Sequence, residues 1–285
     1  MQAVDEWETA VALLVSAIAQ GVEPHLLPAG KGESLPQDHL DSSHCSKKQQ
    51  AYPMYRSSCV VAPRPILVLI DLNGTMLFRA KAKIRRVACT FDHKVSSRLY
   101  YYRPFACEFI RWVSAQQSLH VSFYTSMTKV YAGPARNWLT QGFDNPLPVY
   151  DQRWNLPDET VEFGWKRDMP RLWNEINSKM DGSITFDSTN TIMIDDSPRK
   201  MRDFPDNVLI VPEFDEQGVI AHDQQQRNQV DGEVHDGRVL QAAVLLTLQA
   251  NLSRLIAQWE DQRDDVRSLI AEAQLKIDSG LGIVR

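Results

Sequence analysis

The apolar run Ile66 to Ile70 follows a long polar, proline-punctuated stretch and leads at once into Asp71, Leu72, Asn73, Gly74 and Thr75. A short continuous apolar run closed by turn residues predicts a strand buried on both faces. Similar runs at Leu99 to Tyr102, Leu119 to Tyr124, Thr191 to Ile194 and Asn207 to Val211 predict further strands. Between them, residues Pro104 to Gln116, Thr128 to Thr140 and Arg167 to Asn177 read as helices. This alternation predicts an α/β domain built on a mostly parallel sheet, with its site beyond the carboxyl ends of the strands. Residues Val239 to Ile270 carry leucines three and four apart, so one long or broken helix should close the domain. No internal repeat is visible.

Two regions flank this core. Residues 3 to 20 place Trp7, Ala10, Val11, Leu14, Val15 and Ile18 at helical spacing, which predicts a helix packed on the domain. Its apolar centre, Ala10 to Ala19, follows Asp5, Glu6 and Glu8 where a secretory signal requires basic residues. It is also shorter than the roughly 20 residues needed to span a bilayer. From Gly21 to Pro65 the prolines and glycines predict a linker or an irregular wrap. Gly30, Lys31 and Gly32 lack the preceding strand and the Gly-Lys-Ser/Thr ending of a phosphate loop. His39, His44 and Cys45 read as part of a solvated linker rather than as metal ligands. The expected organisation is an extension over residues 1–64 and a domain over residues 65–279.

Composition narrows the function classes. The chain has 285 residues, of which 43% are hydrophobic and 24% charged, enough for a sizeable core. A formal net charge of -5 argues against nucleic acid as a direct substrate. The four cysteines have neither zinc-site spacing nor the density of a disulfide scaffold, so a reducing compartment, nucleus or cytoplasm, is expected.

Three predicted strands end in polar residues: Asp71, then Thr125 with Ser126, then Asp195 with Asp196. In a parallel sheet these meet at one edge, and Lys166 starts a helix between the last two. An ionised aspartate can attack phosphorus if a metal and a lysine neutralise the phosphoryl charge. Asp71 and Asp196 offer hard oxygens to Mg²⁺, and Thr125 with the helix N–H groups after it offers donors to phosphate. Each motif alone has a plainer reading. Asn73 and Gly74 also signal a β-hairpin pairing Leu67 to Asp71 with Met76 to Ala80. Asp195, Asp196, Ser197 and Pro198 also suit a helix N-terminus, Thr125 a cap, and Lys166 a solvated surface.

The strings ILVLIDLNGT, YYRPFACEFIRWV, VSFYTSMTKVYA, WKRDMPRLW and TIMIDDSPRKM together resemble the haloacid dehalogenase superfamily. More narrowly they are similar to the NIF-type domain of phosphatases acting on the RNA polymerase II C-terminal tail. Arg103 and Pro104 resemble that subfamily's Arg-Pro segment, and Asp264 to Arg267 its closing helix; the likeness spans about residues 64 to 270. It implies a three-layer, Rossmann-like fold without a large cap domain and with helical additions at both ends. The implied activity is a Mg²⁺-dependent, aspartate-based phosphatase for phosphoserine or phosphothreonine in an extended peptide. Residue by residue, it implies Asp71 as nucleophile and Thr125, with Ser126 beside it, as phosphate binder. Lys166 matches the phosphate-neutralising lysine and Arg153 a further phosphate-side arginine. Asp195 and Asp196 match the acidic pair, Asp196 being the direct metal ligand with Asp71 and the Asn73 carbonyl.

Asn73 departs from the pattern. The superfamily's second carboxylate there protonates the leaving oxygen and later activates water, and an amide does neither. Two functions follow as expectations: a phosphoprotein phosphatase with impaired turnover, or an inactive phosphatase-like scaffold or phosphopeptide-binding module in a larger assembly, joined through the N-terminal helix. The basic segment Lys81 to Arg86 reads as a solvated strand that could also attract a phosphorylated tail.

Overall fold

The computed structural model describes residues 64–85, 87, 91–162, 164–182, 184–231, 241–262 and 265–283. The predicted helix over 3–20, the predicted linker and its histidines lie outside the described residues.

Five strands form the central sheet: β1 (Ile66–Ile70), β5 (Leu119–Tyr124), β6 (Val149–Tyr150), β9 (Thr191–Asp195) and β10 (Val208–Ile210). Their order is β10-β9-β1-β5-β6, and every pairing is parallel. β1 is central, which explains why its sequence does not alternate. Ile66, Val68 and Ile70 face one core with helices α1 (Ala106–Ser114), α2 (Lys129–Leu139), α5 (Gln241–Gln262) and α6 (Val266–Gly280). Leu67 and Leu69 face the other with α3 (Met169–Asn177), whose Met169, Leu172, Trp173 and Ile176 are buried. The result is the expected three-layer α/β architecture.

The hairpin alternative does not occur. Both edges of β1 are taken by β5 and β9, so the chain after Asp71 must leave the sheet. Gly74, at φ 90, makes that departure possible, since side-chain-bearing residues rarely adopt this conformation. The chain then enters β2 (Leu77–Ala80), which pairs antiparallel with β4 (Arg98–Tyr102) beside β3 (His93–Val95) in a separate three-stranded sheet. α4 (Glu216–Asp231) and the segment before it cover this sheet through Phe214 and Val219.

Two boundaries differ from expectation for local reasons. α1 begins at Ala106 rather than Pro104 because Phe105 is left-handed, at φ 64. The helix expected from Arg167 starts at Met169, where the Asp168 carboxylate accepts a bond from the Arg171 N–H. Arg167 instead ends β8 (Gly164–Arg167), paired antiparallel with β7 (Asn155–Asp158) in a hairpin the sequence pattern did not predict. The leucine-rich end is broken into α5 and α6, the second capped by Asp265.

Candidate functional site

The sheet order reverses between β1 and β9, because the chain builds outward on the β5 side before returning to the β9 side. At such a switch point the loops at the carboxyl ends of the two strands part and leave a crevice. Asp71 follows β1, Asp195 ends β9 and Asp196 comes next, so all three carboxylates stand there. Asp71 is buried, and its backbone N–H bonds to the Ile194 carbonyl at 2.9 Å, which locks its position to β9.

Two cations reach these carboxylates. Lys200 Nζ lies 2.7 Å from Asp71 Oδ2, 3.0 Å from Asp195 Oδ1 and 3.4 Å from Asp196 Oδ1. Arg167 Nη2 lies 2.6 Å from Asp195 Oδ2 and 3.1 Å from Asp71 Oδ2. The Arg167 guanidinium stacks over the Tyr124 ring at 4.7 Å and donates from Nη1 to Asn155 Oδ1. Asn155 in turn donates to the Thr125 and Asp151 carbonyls. Arg167 is thereby fixed to the end of β5.

The electrostatic balance separates the carboxylates. Burial works to raise the Asp71 carboxyl, but Lys200, Arg167 and the Thr125 hydroxyl outweigh it and hold the group below the usual carboxylate range. Burial pushes Asp196 up to about 7; Lys200 opposes the shift, and the charges of Asp195 and Asp71 reinforce it. Asp71 is therefore held ionised, while Asp196 binds a proton more readily than an ordinary carboxylate.

The turn after Asp71 is braced from several sides. Leu72 N–H donates to Asp71 Oδ1 at 2.8 Å, and the Gly74 carbonyl accepts from Phe214 N–H and from Arg103 Nη2. Arg103, singled out by its Arg-Pro motif, is buried beneath the turn and also bonds the Pro212 carbonyl. A Cβ at Gly74 would stand 2.6 Å from Asp196 Cγ, so the glycine is needed for the approach of that carboxylate as well as for its φ. Thr75 Oγ1 donates to Asp196 Oδ1 at 3.3 Å.

Of the residues expected from sequence, Asp71, Thr125, Asp195 and Asp196 come together. Asn73 is half-buried in the turn, bridged to Leu77. Ser126 is half-buried on the loop from Thr125 to α2. Lys166 is not beside Asp71: its Nζ pairs with Asp203 at 2.8 Å. Adjacent strand residues point to opposite sides, so in β8 it is Arg167 that faces the carboxylates. Arg153 is 69% exposed and pairs with Asp151 at 2.8 Å. Lys200 and Asn155 went unread. Lys200 had a usable signal, since it stands four residues after Asp196 and helical winding brings such pairs together.

Asp71, Asp195 and Asp196 each offer an oxygen, and these oxygens lie within 4.8 Å of one another. A set of hard oxygen donors with buried negative charge fits a cation such as Mg²⁺.

Residues 66–230 match the family described as NLI interacting factor-like phosphatase. Among curated proteins none matches this chain. Two similar solved structures are of the RNA polymerase II CTD phosphatase Fcp1, each 13% identical and covering 73% of this chain and 70% of that one. One is described as an essential CTD phosphatase, at TM-score 0.44; the other is an arginine-to-alanine variant of the fission yeast protein bound to beryllium fluoride, at 0.38. The family match spans more than half of the chain and takes in every carboxylate and cation of the cluster, and the chain belongs to the NLI interacting factor-like phosphatase family.

Proposed function

We propose that this protein is an aspartate-based phosphoprotein phosphatase of the polymerase-tail type, acting on phosphoserine or phosphothreonine in an extended peptide, with turnover limited by Asn73. The observation that carries the reading is Asp71, held ionised at the switch point by Lys200 and Arg167. Its Oδ2 forms the new bond to phosphorus as the bond to the serine or threonine oxygen breaks, leaving an acyl phosphate on Asp71. The Thr125 hydroxyl and the N–H groups opening α2 hold phosphoryl oxygens, and Arg167 offsets their charge. Asp71, Asp196 and the Asn73 carbonyl, with Asp195 in support, would hold a Mg²⁺ ion, which would add to the neutralisation of the phosphoryl group.

The departing oxygen needs a proton, and the acyl phosphate later needs an activated water. Asn73 supplies neither, and general acid or base catalysis is worth about 10²–10⁴ in rate. The same residue favours a second reading, an inactive phosphatase-like module that binds a phosphopeptide within an assembly. Among the described residues no helix is long and apolar enough to cross a membrane. A nuclear or cytoplasmic site of action follows from the proposed substrate.

Hydrolysis of an aryl phosphate with Mg²⁺ separates the two. The phosphatase reading predicts slow turnover that Asp71→Asn abolishes and Asn73→Asp raises about 10²–10⁴-fold. Activity appearing only in Asn73→Asp leaves the binding module as the native function.

A further inference from the structure

Lys200 does more than lie near the carboxylates; its ammonium stands among all three. Nζ is within 3.4 Å of an oxygen of Asp71, of Asp195 and of Asp196, the same side chains whose oxygens form the candidate cation cluster. We propose that Lys200 is a built-in counter-cation that competes with the divalent metal for this carboxylate set, so that metal binding requires the ammonium to withdraw. This rests on the reading of the three carboxylates as the metal site.

Three observations support competition rather than coexistence. With Arg167, Lys200 already brings two positive charges to three carboxylates, so a divalent ion added to both would leave the pocket positive. Arg167 cannot be the one to leave, because it is fully buried, stacked on Tyr124 and bonded to Asn155. Lys200 keeps 13% exposure of its side chain and a flexible four-carbon stem.

The backbone that carries Lys200 is tied down. Its short 3-10 turn, Pro198–Met201, contains Arg199 and is followed by Arg202, and both pair with the buried Asp158 carboxylate at the end of β7. Lys166 and Asp203 add a second tie between β8 and the segment after this turn. Withdrawal is therefore a change of lysine rotamer, not of the turn. The ammonium neutralises Asp71 and Asp195 in the metal-free protein and exchanges with the metal when it binds.

The test uses Mn²⁺ as the probe, by calorimetric titration of the full chain and of Lys200→Met. Competition predicts that the variant binds Mn²⁺ about tenfold or more tightly. In the unmodified protein, saturating Mn²⁺ should speed labelling of Lys200 by an amine-reactive reagent, read by peptide mass spectrometry, while Lys166 labelling stays unchanged. The labelling arm needs no substitution and decides the matter if Lys200→Met fails to fold. Equal or weaker Mn²⁺ binding by a folded Lys200→Met, or labelling of Lys200 unaltered by bound Mn²⁺, overturns the competition and leaves the carboxylate metal site standing. Absence of Mn²⁺ binding by both proteins overturns the metal site and the competition together.

Discussion

Among single residues, Arg167 does most to hold the carboxylate cluster together. Arg167 bridges two buried carboxylates with one guanidinium, so its removal leaves Asp71 and Asp195 sharing Lys200 alone. Stripping one partner from a buried ion pair costs about 3–5 kcal/mol, far more than the pair contributes when intact. Arg167→Met should lose stability on that scale in urea unfolding, whereas Lys166→Met, which removes a partly exposed pair with Asp203, should lose about 1 kcal/mol or less. Equal losses would contradict the assignment of Arg167, not Lys166, to the carboxylates. Asp71 was legible from sequence because a strand buried on both faces has a continuous apolar signature and its end is marked by polar residues. The choice between Lys166 and Arg167 was not, because β8 reads GWKR and four residues of mixed character carry no alternation to show which side faces in.

At the scale of elements, the β7–β8 hairpin and the Pro198–Met201 turn deliver Arg167 and Lys200, and Asp158 fastens one to the other. Its carboxyl is held well below its ordinary value of 3.8, first by the Thr160 hydroxyl and then by the Thr160 N–H and Arg202, against the cost of burial. A carboxyl depressed in the folded state contributes stability above its unfolded value and loses it as pH falls through the folded one. Thermal melts followed against pH should therefore show stability declining below about pH 4. Asp158→Asn should melt several degrees lower at pH 7 and show a flatter decline in acid; an unchanged acid limb would show that Asp158 is not the group responsible. The hairpin escaped the sequence reading because Pro157 and the charged Asp158 and Glu159 look like loop. What makes it structure is tertiary: the burial of Asn155, Asp158 and Arg167, with Arg167 bonded to Asn155 and Asp158 paired with Arg199 and Arg202.

The whole molecule extends beyond the family's matched region. α5 and α6 lie after residue 230, yet Leu245, Leu248, Leu252, Leu255, Trp259, Leu269, Ile270 and Ile277 pack into the same core as Ile66, Val68 and Ile70. Trp259 is buried and its Nε1 donates to the Arg64 carbonyl at 2.7 Å, joining α5 to the entry of β1. Trp259→Ala should cost about 3–5 kcal/mol in denaturant unfolding; a loss under about 1 kcal/mol would mean the C-terminal helices are an appendage. The leucine spacing made these helices legible, while their break and their contact with β1 depend on packing that no local pattern records. The strand they support carries the proposed chemistry, in which Asp71 would accept phosphoryl groups and Asn73 would slow the later steps. Acid-quenched peptide mass spectrometry after incubation with Mg²⁺ and an aryl phosphate tests it most directly. The expected result is a covalent phosphoryl group on Asp71 that persists longer with Asn73 than in Asn73→Asp; no adduct on Asp71 in either protein, with Asn73→Asp also inactive, would contradict the proposed phosphoryl transfer.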